Sequence, residues 1–373
     1  MIRRATFGTN WGDRLWSHLM AHGNNSRAEE LRFMAKFLSV PQSLVDAFET
    51  EPNGGSVELE GIHFVWGKVA DLMPALKATP IFSHVAKFLE LNPKHIYHLD
   101  YLSPSQEKLI TSQFGVRPET LSFQSNKADV LLIDDHNQVV YVSIKDESGL
   151  TKLGQVANKE YGSTRLTGGF VGVDIDSFNC PDEISFADTW LNESQWEKIR
   201  GLKQRKSAYI KKQYPSEWNA LVEKSLKAAY QCLTEFALKI KEDRNCICQF
   251  ILLTLVGEAV GEDNFYIVFG GEIINVQKLL LNIRTLEFEV TSERFVPKGG
   301  KQKESLIIWL VFPERKYCLT KIEPAFDGGY DVKASQTKGI QYYFQHWPTN
   351  SVRKSLGYED VYDFKQFLLD ISQ

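Results

Sequence analysis

The sequence predicts an α/β protein in which a mixed central sheet is flanked by helices, with a helical N-terminal region and a helical insertion. Six short apolar runs have strand length and a β-branched or aromatic bias: Ala128–Ile133, Val139–Lys145, Cys248–Val256, Asn264–Phe269, Leu306–Phe312 and Tyr317–Ile322. Segments with apolar residues at helical spacing lie around them. A chain of 373 residues that is 43% hydrophobic and 24% charged can also bury a large core.

Taken in order, residues 10–48 read as helical. Ser26 can cap Arg27 onward with Glu29 three residues later, and Leu31, Met34, Ala35 and Leu38 share a face. Glu51–Gly55 ends that pattern, and VELEGIHFVWG reads as a hairpin about Gly61, with a short helix expected over Pro80–Leu91. Ser103-Pro104 opens a helix that Gly115 stops, because proline suits the first helical position. Thr120–Gln124 follows, then two strands joined by the turn DDHN, then LTKLGQVANKEY as a helix. Pro215 begins an amphipathic helix with Trp218, Leu221, Val222, Leu226, Tyr230, Leu233 and Phe236 on its apolar face. A last helix is expected over Glu359–Ile371. These elements suggest a mainly helical region over residues 1–100, a core over 101–270 with a helical insertion at about 190–245, and a C-terminal α/β portion over 271–373.

Formal charge −4 excludes a uniformly basic nucleic-acid coat, so contact with a polyanion must come from local patches. Lys198–Lys212 holds seven basic residues and no acidic one, directly after an acidic stretch over Val171–Ser194 that lacks Lys and Arg. Lys203, Arg205, Lys206, Lys211 and Lys212 are therefore candidate phosphate contacts, as is Lys338 in the aromatic-rich KASQTKGIQYYFQHW. A basic run of this kind is more often simply a solvated face. Five cysteines without paired CxxC spacing fit reduced thiols, and no run of about 18 apolar residues suggests a membrane span. The expected setting is soluble and cytoplasmic.

The chemistry concentrates in KADVLLIDDHNQVVYVSIKDES. Side chains two apart on a strand share a face, so Tyr141, Ser143 and Lys145 lie together, and Asp129 shares a face with Leu131 and Ile133. An antiparallel hairpin through DDHN brings Asp129 beside the Ser143–Lys145 end. Phosphodiester hydrolysis needs a cation to stabilise the phosphoryl oxygens, an activated water and nearby positive charge. Asp129 and the Ile144 carbonyl can offer oxygens to Mg²⁺, and Lys145 can orient or deprotonate the water. The plainer account is an ordinary hairpin in which Lys145 snorkels and Asp129 pairs with it or with Lys127.

Ala128-Asp129-Val130 and Ser143-Ile144-Lys145, with a helix before and another after the hairpin, resemble the PD-(D/E)XK nuclease superfamily, which includes many type II restriction endonucleases. The resemblance covers roughly Ser103–Tyr161. It implies a restriction-endonuclease-like core and Mg²⁺-dependent cleavage of double-stranded DNA at a specific sequence. It also implies a homodimer and a companion methyltransferase acting on the same site in a restriction-modification system. Asp129, Ser143 and Lys145 occupy the catalytic positions. Ser143 departs from the pattern, because a hydroxyl stands where a second carboxylate is usual. Some restriction enzymes with Ser-x-Lys recover that acid from a neighbouring helix. Glu107 on the preceding helix is the favoured substitute and Glu160 on the following helix the alternative; Gln155 can also face the site, and Asp146 points away from Lys145.

Rival functions are a repair or mobile-element nuclease of the same superfamily, a nonenzymatic DNA-binding protein, and a protein-interaction domain of unrelated fold. His95, His98 and Asp100 lack a full ligand set, and Cys246 and Cys248 lack a second pair, so structural roles are expected for them. The Gly-Gly pairs have no Walker lysine or GxGxxG frame.

Overall fold

The computed structural model describes residues 27–81, 92–100, 102–121, 127–145, 183–185, 193–201, 206–256, 264–269, 272–295, 305–327, 339–347, 361–362 and 364–372. The chain forms two compact units, Met1–Leu150 with Val256–Gln277, and Thr151–Leu255 with Lys278–Gln373. Among the described residues the elements begin with α1 (27–35), α2 (Gln42–Thr50), β1 (Gly55–Leu59), β2 (Ile62–Trp66), α3 (Met73–Lys77) and β3 (Pro93–His98). Next come α4 (Pro104–Phe114), a 3-10 turn (Pro118–Leu121), β4 (Val130–Asp134), β5 (Val139–Lys145) and β6 (Glu183–Ser185). Helices α5 (Glu193–Arg200), α6 (Lys206–Gln213), α7 (Pro215–Glu242) and α8 (Arg244–Leu255) follow. The chain continues through β7 (Phe265–Phe269), β8 (Glu272–Asn275), α9 (Val276–Thr285), β9 (Glu289–Phe295) and β10 (Ser305–Val311). It closes with β11 (Lys316–Asp327), β12 (Gly339–Trp347), β13 (Val361–Tyr362) and α10 (Phe364–Ser372).

The first unit is built on a seven-stranded sheet in the order β1-β2-β3-β4-β5-β7-β8. Its β2–β3 and β5–β7 pairs are parallel and its other pairs antiparallel, so the sheet is mixed. The β1–β2 hairpin turns through Glu60 and Gly61 with φ of 52° and 75°, the left-handed pair that matches strand twist. Residues 1–100, expected to be mainly helical, thus supply three strands of the sheet.

Alternation along the strands puts Ile96, Val130, Leu132, Val140, Val142 and Ile144 into one core. Leu31, Met34, Ala35, Leu38, Leu44, Val45 and Phe48 of the helical segments cover that face. Their spacing at three to four residues is the stripe the sequence showed. On the opposite face, Phe114 of α4 packs on His95 and Tyr97, and Tyr141 Oη donates to Thr120 Oγ1 at 3.0 Å. Helix α4 starts in a capping box between Ser103 and Gln106, with Pro104 in its first turn, and ends at Gly115 with φ 67°. The expected signals at both ends are therefore used.

The second unit carries a sheet ordered β6-β12-β11-β10-β9, with β13 parallel to β11. Helix α7 buries Ala229, Cys232, Leu233, Phe236, Ala237 and Ile240 and lies against this sheet. Asp370 of α10 ties that helix to β11 through Arg315 at 2.6 Å and Tyr317 Oη at 2.7 Å.

Three expectations change. Cys248–Val256 is not a strand: residues through Leu255 belong to α8. An uninterrupted apolar run fits a buried helix as well as a buried strand, and its continuation back to Arg244 gives it helical length. Thr120 and Leu121 close a 3-10 turn, while Ser122–Gln124 lie outside the described residues. Cys232 is disulfide-bonded, so the expectation of reduced thiols holds for Cys246, Cys248 and Cys318 only. No helix among the described residues is long and apolar enough to cross a membrane.

Candidate active site

The site begins with a turn. Asp134 accepts from the backbone N–H of His136 at 2.9 Å and of Gln138 at 2.7 Å, and Asn137 takes the left-handed conformation with φ 59°. This closes DDHN in the register Val130↔Val142. Beyond that pair the register shifts by one: the Asp129 N–H also donates to the Val142 carbonyl, at 2.9 Å, so Asp129 and Val130 both stand opposite Val142 in a β-bulge. On its other side Asp129 is also tied to the sheet, because the Leu99 N–H donates to its carbonyl at 2.9 Å.

Three donors converge on one carboxylate oxygen. Asp129 Oδ2 accepts from the Ile144 N–H at 2.6 Å, from Lys145 Nζ at 3.1 Å and from Ser143 Oγ at 3.2 Å. Among the described residues no hydrogen bond engages Oδ1. The carboxylate is thus fixed by one oxygen and open at the other. Asp129 and Lys145 side chains keep 17% and 21% of their surface, enough for solvent or a ligand to reach them. The N–H and C=O of one residue in an extended strand point to the same side. The Ile144 carbonyl therefore faces the Asp129 side of β5, beyond the last β4–β5 pair.

A second acid lies within electrostatic reach of this group, and sequence reasoning missed it. Glu30 of α1 is buried, and its Oε2 lies 2.8 Å from Nε2 of the fully buried His98 at the end of β3. Arg27, one turn earlier, pairs through Nε with Asp100 Oδ2 at 2.5 Å and anchors the start of α1 to the same strand end. Burial raises Glu30 well above the ordinary carboxylate value. The Asp129 charge raises it further, and Lys145 opposes that rise. His98 is pushed down to about 4, chiefly by burial, so its imidazole is neutral.

Lys127 adds positive charge. Burial, followed by the Lys145 charge, lowers its pKa to about 8. Two lysines flanking an acid at a strand end are an arrangement suited to an anion such as a phosphate.

The expected residues divide as follows. Asp129, Ser143, Ile144 and Lys145 come together. Glu107 is on α4, half-buried, and among the described residues makes no hydrogen bond or ion pair with Asp129 or Lys145; its charge is also absent from those acting on Glu30, His98 and Lys127. Glu160, Gln155, Asp146, Lys203, Arg205 and Lys338 lie outside the described residues. Lys206 is in α6, and Lys211 and Lys212 are exposed near its end. His98, expected to be structural, is a buried partner of Glu30. A signal for Glu30 does exist in the sequence: it stands four residues before Met34, in line with the buried stripe of α1, where a carboxylate is costly without a partner.

Among the described residues no three His, Cys, Asp or Glu side chains form a closed metal cage. A Mg²⁺ site does not require one, since this ion binds through one or two carboxylates and keeps several waters. The open Asp129 Oδ1 and the Ile144 carbonyl fit such a hard, oxygen-liganded cation, and Glu30 is a further acid within electrostatic reach. Comparison with protein-family models, with curated proteins and with solved structures finds no match to this chain.

Proposed function

We propose that this chain is a Mg²⁺-dependent endonuclease that hydrolyses double-stranded DNA at a specific sequence, as a type II restriction enzyme with a restriction-endonuclease-like core. One observation carries this reading: Asp129 is held through one oxygen by Ser143, the Ile144 N–H and Lys145 while its other oxygen is open, with the Glu30 charge in electrostatic reach. A second buried acid and a second lysine near the same strand end favour this reading over an ordinary snorkelling lysine.

In this reading Asp129, the Ile144 carbonyl and Glu30 hold the cation, and Glu30 replaces Glu107 and Glu160 as the acid that compensates for Ser143. Bound Mg²⁺ supplies charge stabilisation to the phosphoryl oxygens and acidifies a water. Ser143 keeps a fixing role, donating to Asp129 so that the carboxylate holds one rotamer. Lys145 sits where it can orient the attacking water and offset charge on the phosphate. Lys127 adds a cation for the phosphate, and Lys211 and Lys212 are candidates for backbone contacts. Homodimerisation and a companion methyltransferase belong to the same proposal, as does a cytoplasmic setting.

The test is incubation of the purified chain with unmethylated plasmid and phage DNA, in Mg²⁺ and in EDTA. Discrete fragments only with Mg²⁺ are expected. Intact DNA across these substrates, with retained binding, would instead identify a nonenzymatic DNA-binding protein. Preference for branched or damaged DNA would identify a repair or mobile-element nuclease.

A further inference from the structure

His98 has no place in the chemistry above, yet it is fully buried and its Nε2 lies 2.8 Å from Glu30 Oε2. Its Nδ1 is buried with no hydrogen-bond partner. A proton on Nδ1 would create a buried donor with nothing to bond, so the proton belongs on Nε2, which donates to Glu30. Glu30 makes no other side-chain hydrogen bond among the described residues, so its Oε1 is left open. The two acids are thus built alike. Asp129 has one oxygen tied by donors on β5 and one open, and Glu30 has one oxygen tied by β3 and one open.

A glutamate side chain has three rotatable bonds, and α1 fixes only its base. Without His98 the carboxylate could swing away from Asp129 at little cost. We propose that His98 is a positioning residue: by donating through Nε2 it holds the Glu30 carboxylate beside Asp129, so that a divalent cation meets two preset oxygens. This rests on the assignment of Asp129 and Glu30 as the cation-holding pair. Partners that orient metal-binding side chains commonly contribute about 10–100-fold to metal affinity or activity.

The experiment is Mg²⁺ titration of the full chain, read both by calorimetry and by the Mg²⁺ dependence of DNA cleavage. The variants are D129A, E30Q, H98L, H98Q and the double variant H98L/E30Q. H98L is expected to raise the Mg²⁺ concentration at half-saturation by ~10–100-fold. Its kcat should largely recover at saturating Mg²⁺, and KM for DNA should not change. H98Q keeps a donor and should restore most of the affinity. H98L/E30Q should bind no worse than E30Q, because His98 acts through Glu30. A role confined to packing α1 on β3 would lower thermal stability without moving Mg²⁺ half-saturation, and that result overturns the proposal, as does additivity in the double variant. If H98L does not fold, H98M takes its place: half-saturation raised in H98M and restored in H98Q supports a donor role, and wild-type half-saturation in H98M overturns it. Unchanged Mg²⁺ binding in D129A refutes the cation site itself, whereas loss in D129A with wild-type affinity in H98L refutes only the role of His98.

Discussion

Lys127, at the open end of the β4–β5 hairpin, is largely buried and within reach of the Lys145 charge, and the chain bears a cost for that. Lys127 is shifted from 10.5 to about 8, first by burial and then by the Lys145 charge. Between those two values the unfolded chain holds a proton that the native chain does not, so stability rises with pH across that window and is lowest below about 8. The shift corresponds to about 3 kcal/mol; partial exposure of the residue screens it to about 2 kcal/mol. Lys127→Met is therefore expected to be about 2 kcal/mol more stable than wild type at pH 7. That advantage should shrink as pH rises from about 8 towards 10.5, as read by urea denaturation across pH. A constant difference across that window would refute it. Lys145→Ala should slow cleavage by ~10²–10³-fold, on the scale of losing one charged group from a transition state. DNA affinity should remain within a few-fold, since phosphate contacts elsewhere carry most of it; single-turnover cleavage alongside a binding isotherm separates the two.

At the scale of elements, the β4–β5 hairpin sets the site and its turn sets the hairpin. Asp134 accepts two backbone N–H groups, and Asn137 adopts the left-handed conformation that Asn tolerates better than most residues. Asp134→Ala should cost about 1–2 kcal/mol by urea denaturation. It should also lower cleavage by loosening the hairpin that holds Asp129 against Ser143, Ile144 and Lys145. Cleavage at the wild-type rate in a destabilised Asp134→Ala would show that the register is held by the sheet alone. This hairpin was legible because its signals are local: alternation of period two, a turn rich in Asp and Asn, and strands of fixed length. Helix α8 was not, since Cys248–Val256 carries no period that separates a buried helix from a buried strand. The burial of each side chain, a tertiary property, decides that case.

For the whole molecule, the proposed cation binding would couple to stability, because a ligand that binds only the folded chain stabilises it. Mg²⁺ should then raise the thermal midpoint, with about 2.7 kcal/mol of stabilisation at a hundredfold excess over Kd. Asp129→Asn should abolish that Mg²⁺-dependent shift; an equal shift in that variant would place the cation elsewhere. The sequence alone determined the α/β class and the joining of Asp129, Ser143 and Lys145, because strand alternation and a short turn act over neighbouring residues. Only the tertiary structure brought Glu30 within electrostatic reach of them. Glu107 is nearer in sequence, yet Glu30 arrives from α1, which packs on the sheet through Leu31, Met34 and Ala35 and is anchored to the end of β3 by Arg27–Asp100 and Glu30–His98. Sequence separation carries no information about that approach, because the burial of an apolar face sets where the helix lands and so which of its charges meets the site.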